Sequence, residues 1–140
     1  MYYARGFITV KIMKQAGVIY IVDDDPSARK GLTRLLLAGG YEVNSYASSD
    51  ELFKSPITDK DACLILDARM PELSGLELWT ELAAKGHNLP VIFVTAENSE
   101  ETRKKALAIK AAGFFRKPVD GPALLDAVAW AMEMRRKDGF

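Results

Sequence analysis

A chain of 140 residues, 49% of them apolar, has the size of one ordinary domain and can bury a core without disulfide or metal staples. Its 19 basic and 19 acidic side chains cancel, which excludes the uniform electrostatic footprint of a protein that grips nucleic acid or an anionic membrane by charge alone. A single cysteine excludes an intrachain disulfide, and no apolar run reaches the roughly 20 residues of a membrane-spanning helix or forms a cleavable signal, so the chain reads as cytoplasmic.

Residues 1–17, MYYARGFITVKIMKQAG, precede the first clear element and are read as an N-terminal extension: a tag, an over-long start, since Met13 would itself serve as one, or a short arm on the domain. The domain is expected over 18–137. Its first strand, VIYIV at 18–22, runs straight into Asp23, Asp24 and Asp25. Pro26 and Ser27 open a helix over 27–37 that Gly39 and Gly40 stop. A strand at 41–43 and a short helix at 49–53 come next. ACLIL at 62–66 is the third strand, with Cys63 as a small buried hydrophobe and Asp67 just beyond its end.

Ser74 caps a helix over 76–84, and VIFV at 91–94 leads to Thr95. Ser99 caps a helix over 100–109 whose first turn holds Glu100 and Glu101, where the helix dipole favours acids. GFF at 113–115 leads to Lys117 and Pro118. The last helix, 123–134, carries an apolar stripe of Leu124, Val128, Ala131 and Met132, with Arg135, Arg136 and Lys137 near its negative end. The pattern is a βα unit repeated five times. Three of its strands are continuously apolar, as strands buried on both faces of a parallel sheet must be, so helices have to cover both faces.

In open α/β sheets ligands bind outside the carboxyl ends of the strands. Here those ends carry a carboxylate cluster at Asp23 to Asp25, Asp67, the hydroxyl of Thr95 and the ammonium of Lys117. Crowded carboxylates repel and raise one another's pKa unless a cation offsets the cost. Carboxylates on neighbouring strands suit a hard divalent ion such as Mg2+, and a hydroxyl and a lysine complete an electrostatic clamp for phosphoryl transfer onto an aspartate.

The motifs VDDD, LILDARMPELSG, VTA and KP, in this order and spacing, resemble the receiver domain of bacterial two-component response regulators, from Val18 to Lys137. SARKGLTRLL and GYEVNSYAS further resemble the FixJ/NarL-like branch. The resemblance implies a flavodoxin-like, doubly wound parallel (βα)5 sheet of strand order 2-1-3-4-5, with the acidic pocket at its switch point. It implies that Asp67 accepts a phosphoryl group from a sensor histidine kinase, that Asp23, Asp24, Asp67 and the backbone carbonyl of Arg69 hold Mg2+, and that Thr95 and Lys117 bind the phosphoryl group. It also implies that Phe114 is the aromatic switch and that the phosphorylated protein forms a homodimer. Such a protein is a signalling switch that catalyses only its own phosphorylation and dephosphorylation. It reaches DNA, and so transcription, only through an output domain that this chain does not carry, and it has no membrane partner.

Two residues depart from the family pattern. Lys110, in Ile109-Lys110-Ala111, stands where glycine usually eases the turn, and Ala68 follows the acceptor where a larger residue is common. Asp25 matches no ligand position and is read as helping to start the first helix. The competing readings are an Mg2+-dependent aspartyl phosphatase, whose nucleophile would follow the first strand, and a phosphate-independent scaffold. His87 reads as a solvated loop residue, Trp79 as the rim of the core, and Trp130, off the apolar stripe, as an ordinarily exposed residue or a contact face. The segment 99–110 offers chiefly Leu107 and Ile109 for burial and is expected to be the moving part.

Overall fold

The computed structural model describes residues 17–70, 73–96 and 100–137. Five strands, β1 (Val18–Val22), β2 (Glu42–Tyr46), β3 (Ala62–Asp67), β4 (Val91–Thr95) and β5 (Gly113–Arg116), alternate with five helices. These are α1 (Pro26–Ala38), α2 (Ser49–Phe53), α3 (Gly75–Ala84), α4 (Glu100–Ala108) and α5 (Gly121–Lys137). The strands form one sheet in the order β2-β1-β3-β4-β5, every neighbouring pair parallel, as in a flavodoxin-like doubly wound fold.

The three continuously apolar runs, β1, β3 and β4, are buried at every position, while β2 and β5 at the edges are partly exposed. Strand alternation divides their side chains between two cores. On one side Ile19, Ile21, Cys63, Ile65, Ile92 and Val94 pack with Leu32 and Leu36 of α1 and with Leu124, Val128 and Met132 of α5. On the other side Tyr20, Val22, Leu64, Leu66, Val91 and Phe93 pack with Leu52 of α2, Leu78 and Leu82 of α3 and Ala106 of α4. A one-residue slip in any central strand would exchange these sets, so burial on both faces fixes the register together with the strand ends.

Most elements lie within two residues of their expected bounds. The last helix runs three residues past its expected end, to Lys137, and β2 runs three past its own, because Val18 pairs with Glu42 and Val22 with Tyr46, so β1 draws the polar residues Asn44 and Ser45 into an edge strand that their composition does not announce. Tyr41 is instead buried just before it. The expected cap at Ser99 and residues 1–16 lie outside the described residues, as do the side chains of Arg136 and Lys137.

Helix ends show where the local sequence is at odds with its conformation. α1 closes with Gly40 N–H donating to the Leu37 carbonyl and Tyr41 N–H to that of Leu36. α3 repeats the pair with Gly86 to Ala83 and His87 to Leu82. Both glycines have positive φ, 93° and 90°, as this double-bonded helix stop requires. α4 closes in the same way, Lys110 to Leu107 and Ala111 to Ala106, but there Lys110 takes the left-handed turn at φ 59°. The lysine in the glycine position therefore adopts the glycine conformation and carries its strain.

Left-handed backbone at a non-glycine residue costs about 1–2 kcal/mol, part of which glycine gives back through its larger unfolded-state entropy. Lys110→Gly should therefore raise the unfolding free energy by about 1 kcal/mol, seen as a higher urea midpoint at unchanged m-value.

Candidate functional site

The rim at the carboxyl ends of the strands is built by chain continuity. Asp67 is the last residue of β3 and Thr95 the last of β4, and both are buried. Asp23 follows β1, is fully buried, and donates its N–H to the Tyr46 carbonyl at 3.1 Å. Lys117 follows β5, whose pairing with β4 continues through Lys117 N–H to the Thr95 carbonyl at 2.8 Å. On the other side Ala68 N–H donates to the Val94 carbonyl, also at 2.8 Å, so the residues flanking the pocket remain in the sheet ladder.

The side chains converge on Lys117. Its Nζ lies 2.8 Å from Asp23 Oδ2 and 3.2 Å from Asp67 Oδ2. Carboxylate oxygens of Asp23, Asp24 and Asp67 come within 4.8 Å of one another, with Asp24 the exposed member. Asp67 Oδ1 accepts from Arg69 N–H, and Asp23 Oδ1 accepts from Asp25 N–H, each at 2.9 Å. Asp25 is the N-cap of α1, its carboxylate accepting from Ser27 N–H at 3.0 Å, which is the helix-starting part expected of it.

Burial pushes the Asp67 carboxyl above its ordinary range, and the Asp23 charge adds to the rise, against the lowering by Arg69 N–H and Lys117. For Lys117 burial works against the charge, but the carboxylates of Asp23 and Asp67 outweigh it and raise its pKa. One ammonium thus serves two buried carboxylates. Asp23 Oδ2 is buried without a well-aligned hydrogen bond, its counter-charge being the Lys117 contact. Three clustered carboxylates, one with an under-satisfied buried oxygen, are the hard oxygen donors a divalent cation takes, so the residues present fit such an ion.

The chain matches the family model described as response regulator receiver domain over residues 19–129. It is a response regulator receiver domain. Nodulation protein W of Bradyrhizobium diazoefficiens is 39% identical over 120 residues, which cover 86% of this chain and 53% of that protein. The transcriptional regulatory protein FixJ of Azorhizobium caulinodans is 31% identical over 127 residues, 91% of this chain and 60% of that protein. The receiver thus spans little more than half the length of these relatives, which agree with its assignment to the FixJ/NarL-like branch. Among solved structures, a CheY-like receiver domain from Methanospirillum hungatei superposes with a TM-score of 0.78 at 26% identity, covering 89% of this chain and 99% of that one.

Around the receiver pocket two residues act that sequence patterning does not single out. Arg29 reaches back from α1 to donate to the Asp23 carbonyl at 2.6 Å. A single arginine on an amphipathic helix reads as solvent-facing, so nothing in the sequence signals the contact. Gly75 starts α3 against the Asp67 backbone, where a Cβ would collide with the Asp67 carbonyl oxygen. The Ser74–Glu77 capping box beside it is legible only as a helix start.

Other expectations need adjustment. His87 is not a freely solvated side chain, because its Nδ1 hydrogen-bonds Asp59 Oδ1 at 2.9 Å, at the end of the sheet opposite the pocket. Leu107 does not anchor α4, being 68% exposed, and α4 buries only Thr102 and Ala106, with Ile109 beyond its end partly buried. Trp79 packs at the edge of the α3-side core and Trp130 is 57% exposed, as their positions on the helices predict. Phe114 is half-buried on the α3 and α4 side of the sheet, beside a cavity of about 300 Å³ lined by Arg103, Ala106, Leu107 and Ala111. No helix among the described residues is long and apolar enough to cross a membrane.

Because the folded-state pKa of Asp67 is raised, ionising it costs stability. That cost is absent below the ordinary carboxylate range, about pH 4, and grows until pH passes the raised folded value. Without divalent metal, Asp67→Asn should unfold a few degrees above the wild type at pH 7, and the difference should vanish near pH 3. Calorimetric melts at the two pH values check this.

Proposed function

We propose that this receiver is a phosphorylation-dependent switch in which Asp67 takes a phosphoryl group from the phosphohistidine of a sensor kinase, or from a small donor such as acetyl phosphate. The observation that carries the reading is the convergence of Asp23, Asp24, Asp67 and Lys117 at the ends of β1, β3 and β5. Asp23, Asp24, Asp67 and the Arg69 carbonyl would hold Mg2+, which when bound neutralises phosphoryl oxygens. The Asp67 carboxylate attacks phosphorus as the bond to the donor nitrogen breaks, leaving an aspartyl phosphate and a histidine that regains its proton from solvent. Lys117 is already positioned to transfer its contact from Asp67 to a phosphoryl oxygen, which costs little reorganisation. The protein then acts as a switch and catalyses only its own phosphorylation and dephosphorylation.

The output depends on the weak hold on α4. Thr95 lies on the same side of the sheet as Phe93 and Phe114 by strand alternation, and it precedes α4 as Phe114 follows it. A Thr95 hydroxyl drawn to the phosphoryl group vacates space into which Phe114 turns. α4 and β5 then repack, and the face they share with Trp130 of α5 binds a second copy of the chain. Because the receiver spans 60% of FixJ, a relative named a transcriptional regulatory protein, control of transcription would run through a DNA-binding output domain outside residues 18–137.

Incubation with acetyl phosphate and Mg2+ should add one phosphoryl group by intact mass. Asp67→Asn or chelation should abolish it, and labelling that survives in Asp67→Asn would assign the nucleophile to another carboxylate. Beryllofluoride with Mg2+ should alter hydrogen exchange mainly within 95–118 and raise the sedimentation coefficient at high concentration. With Mg2+ present Lys117→Ala and Thr95→Ala should still fold, Lys117→Ala with lowered stability, and both should lose that response. Changes confined to the pocket loops, with no added association, would exclude this face as the output.

A further inference from the structure

We propose that Arg29 is a positioning residue for the cation site: it fixes the peptide between Asp23 and Asp24 so that both carboxylates face one ion. The inference rests on the proposed function, in which these aspartates hold Mg2+. Arg29 is half-buried on the first turn of α1, and its own N–H closes that turn on the Asp25 carbonyl at 3.0 Å. From there Nη1 donates to the Asp23 carbonyl at 2.6 Å, a charge-assisted bond of the stronger kind. That carbonyl is half of the Asp23 to Asp24 peptide, so the bond fixes the plane from which the Asp24 side chain departs.

The two aspartates differ in how much else holds them. Asp23 is buried, with its N–H on Tyr46, its Oδ1 on Asp25 and its Oδ2 beside Lys117. Asp24 is exposed, and among the described residues its carboxylate makes no hydrogen bond or ion pair. Its presentation therefore depends on its backbone, which Arg29 restrains through the peptide before it and the Asp23 carboxylate through the Asp25 N–H after it. Groups that orient metal ligands in this indirect way are typically worth about 10–100-fold in metal affinity. A guanidinium also repels a cation, so a purely electrostatic part for Arg29 predicts the opposite sign.

Calorimetric titration of MgCl2 into the full chain, well below every variant's unfolding midpoint, separates these. Arg29→Met should weaken Mg2+ binding about tenfold, near the lower end of that range, and Arg29→Lys, which keeps a donor of similar reach, should recover most of it. An Arg29→Met protein that binds Mg2+ as tightly as the wild type, or more tightly, overturns the proposal even if its midpoint falls, because a merely structural arginine would change stability alone. Asp24→Asn tests the underlying reading. If the wild type shows no saturable binding, or Asp24→Asn binds like it, the cation site itself fails and this inference with it. Intact wild-type binding that Asp24→Asn loses and Arg29→Met keeps removes Arg29 alone.

Discussion

Two carboxylates, Asp23 and Asp67, are buried at the end of an apolar sheet and share one ammonium, Lys117. A buried carboxylate that loses its partner is strongly destabilising, and this pair has only one charge between two. The sheet tolerates the arrangement because its central strands are buried along their whole length and hold the rim in register. Asp23 and Asp67 each also receive a backbone N–H, which offsets part of the desolvation. What remains unoffset is the affinity of the pocket for additional positive charge.

The sheet divides the molecule into two unequal halves. On the α1 and α5 side, Leu32, Leu36, Leu124, Val128 and Met132 lock two long helices against the strands. On the other side α3 contributes two leucines, but α4 contributes only Thr102 and Ala106 to burial. Large aliphatic side chains gain about 1.5–3 kcal/mol each on full burial, and alanine far less. α4 is thus the long-lever element held by the least, and it ends in a left-handed lysine that adds strain at its carboxyl end. A small free energy at the pocket suffices to shift such an element where it would leave α1 or α5 in place.

Much of this was legible in the sequence because the governing signals are short-range. VIYIV, ACLIL and VIFV announce doubly buried strands, and chain continuity places the residue after each run, Asp23, Asp67 and Thr95, on the rim, as it places Lys117 after GFFR. The polar edge strand β2 was cut short because pairing with β1, not its own composition, extends it. Arg29 and Asp59 escaped notice for the same reason. Their partners, Asp23 and His87, are set by tertiary placement, and a charged residue on a helix or loop carries no mark of the carbonyl or ring it will meet. Leu107 faces solvent against expectation because hydrophobicity alone does not say which way a helix with few apolar residues will face.

Charge and packing together confine the mobile consequence of the pocket to one side. Lys117 is joined to β5 and Thr95 to β4, so any change in what these two groups contact is delivered to the two strands that flank the start and end of α4. Asp23 and Asp24 are joined to α1 through the Asp25 cap and the Arg29 hydrogen bond, and α1 is held by large leucines. The Asp23 and Asp24 half of the pocket is therefore built on the rigid layer and the Thr95 and Lys117 half on the soft one. An arrangement of this kind holds its acidic pair more firmly than Thr95 and Lys117, because rigidity and compliance are set by which side chains each helix can bury.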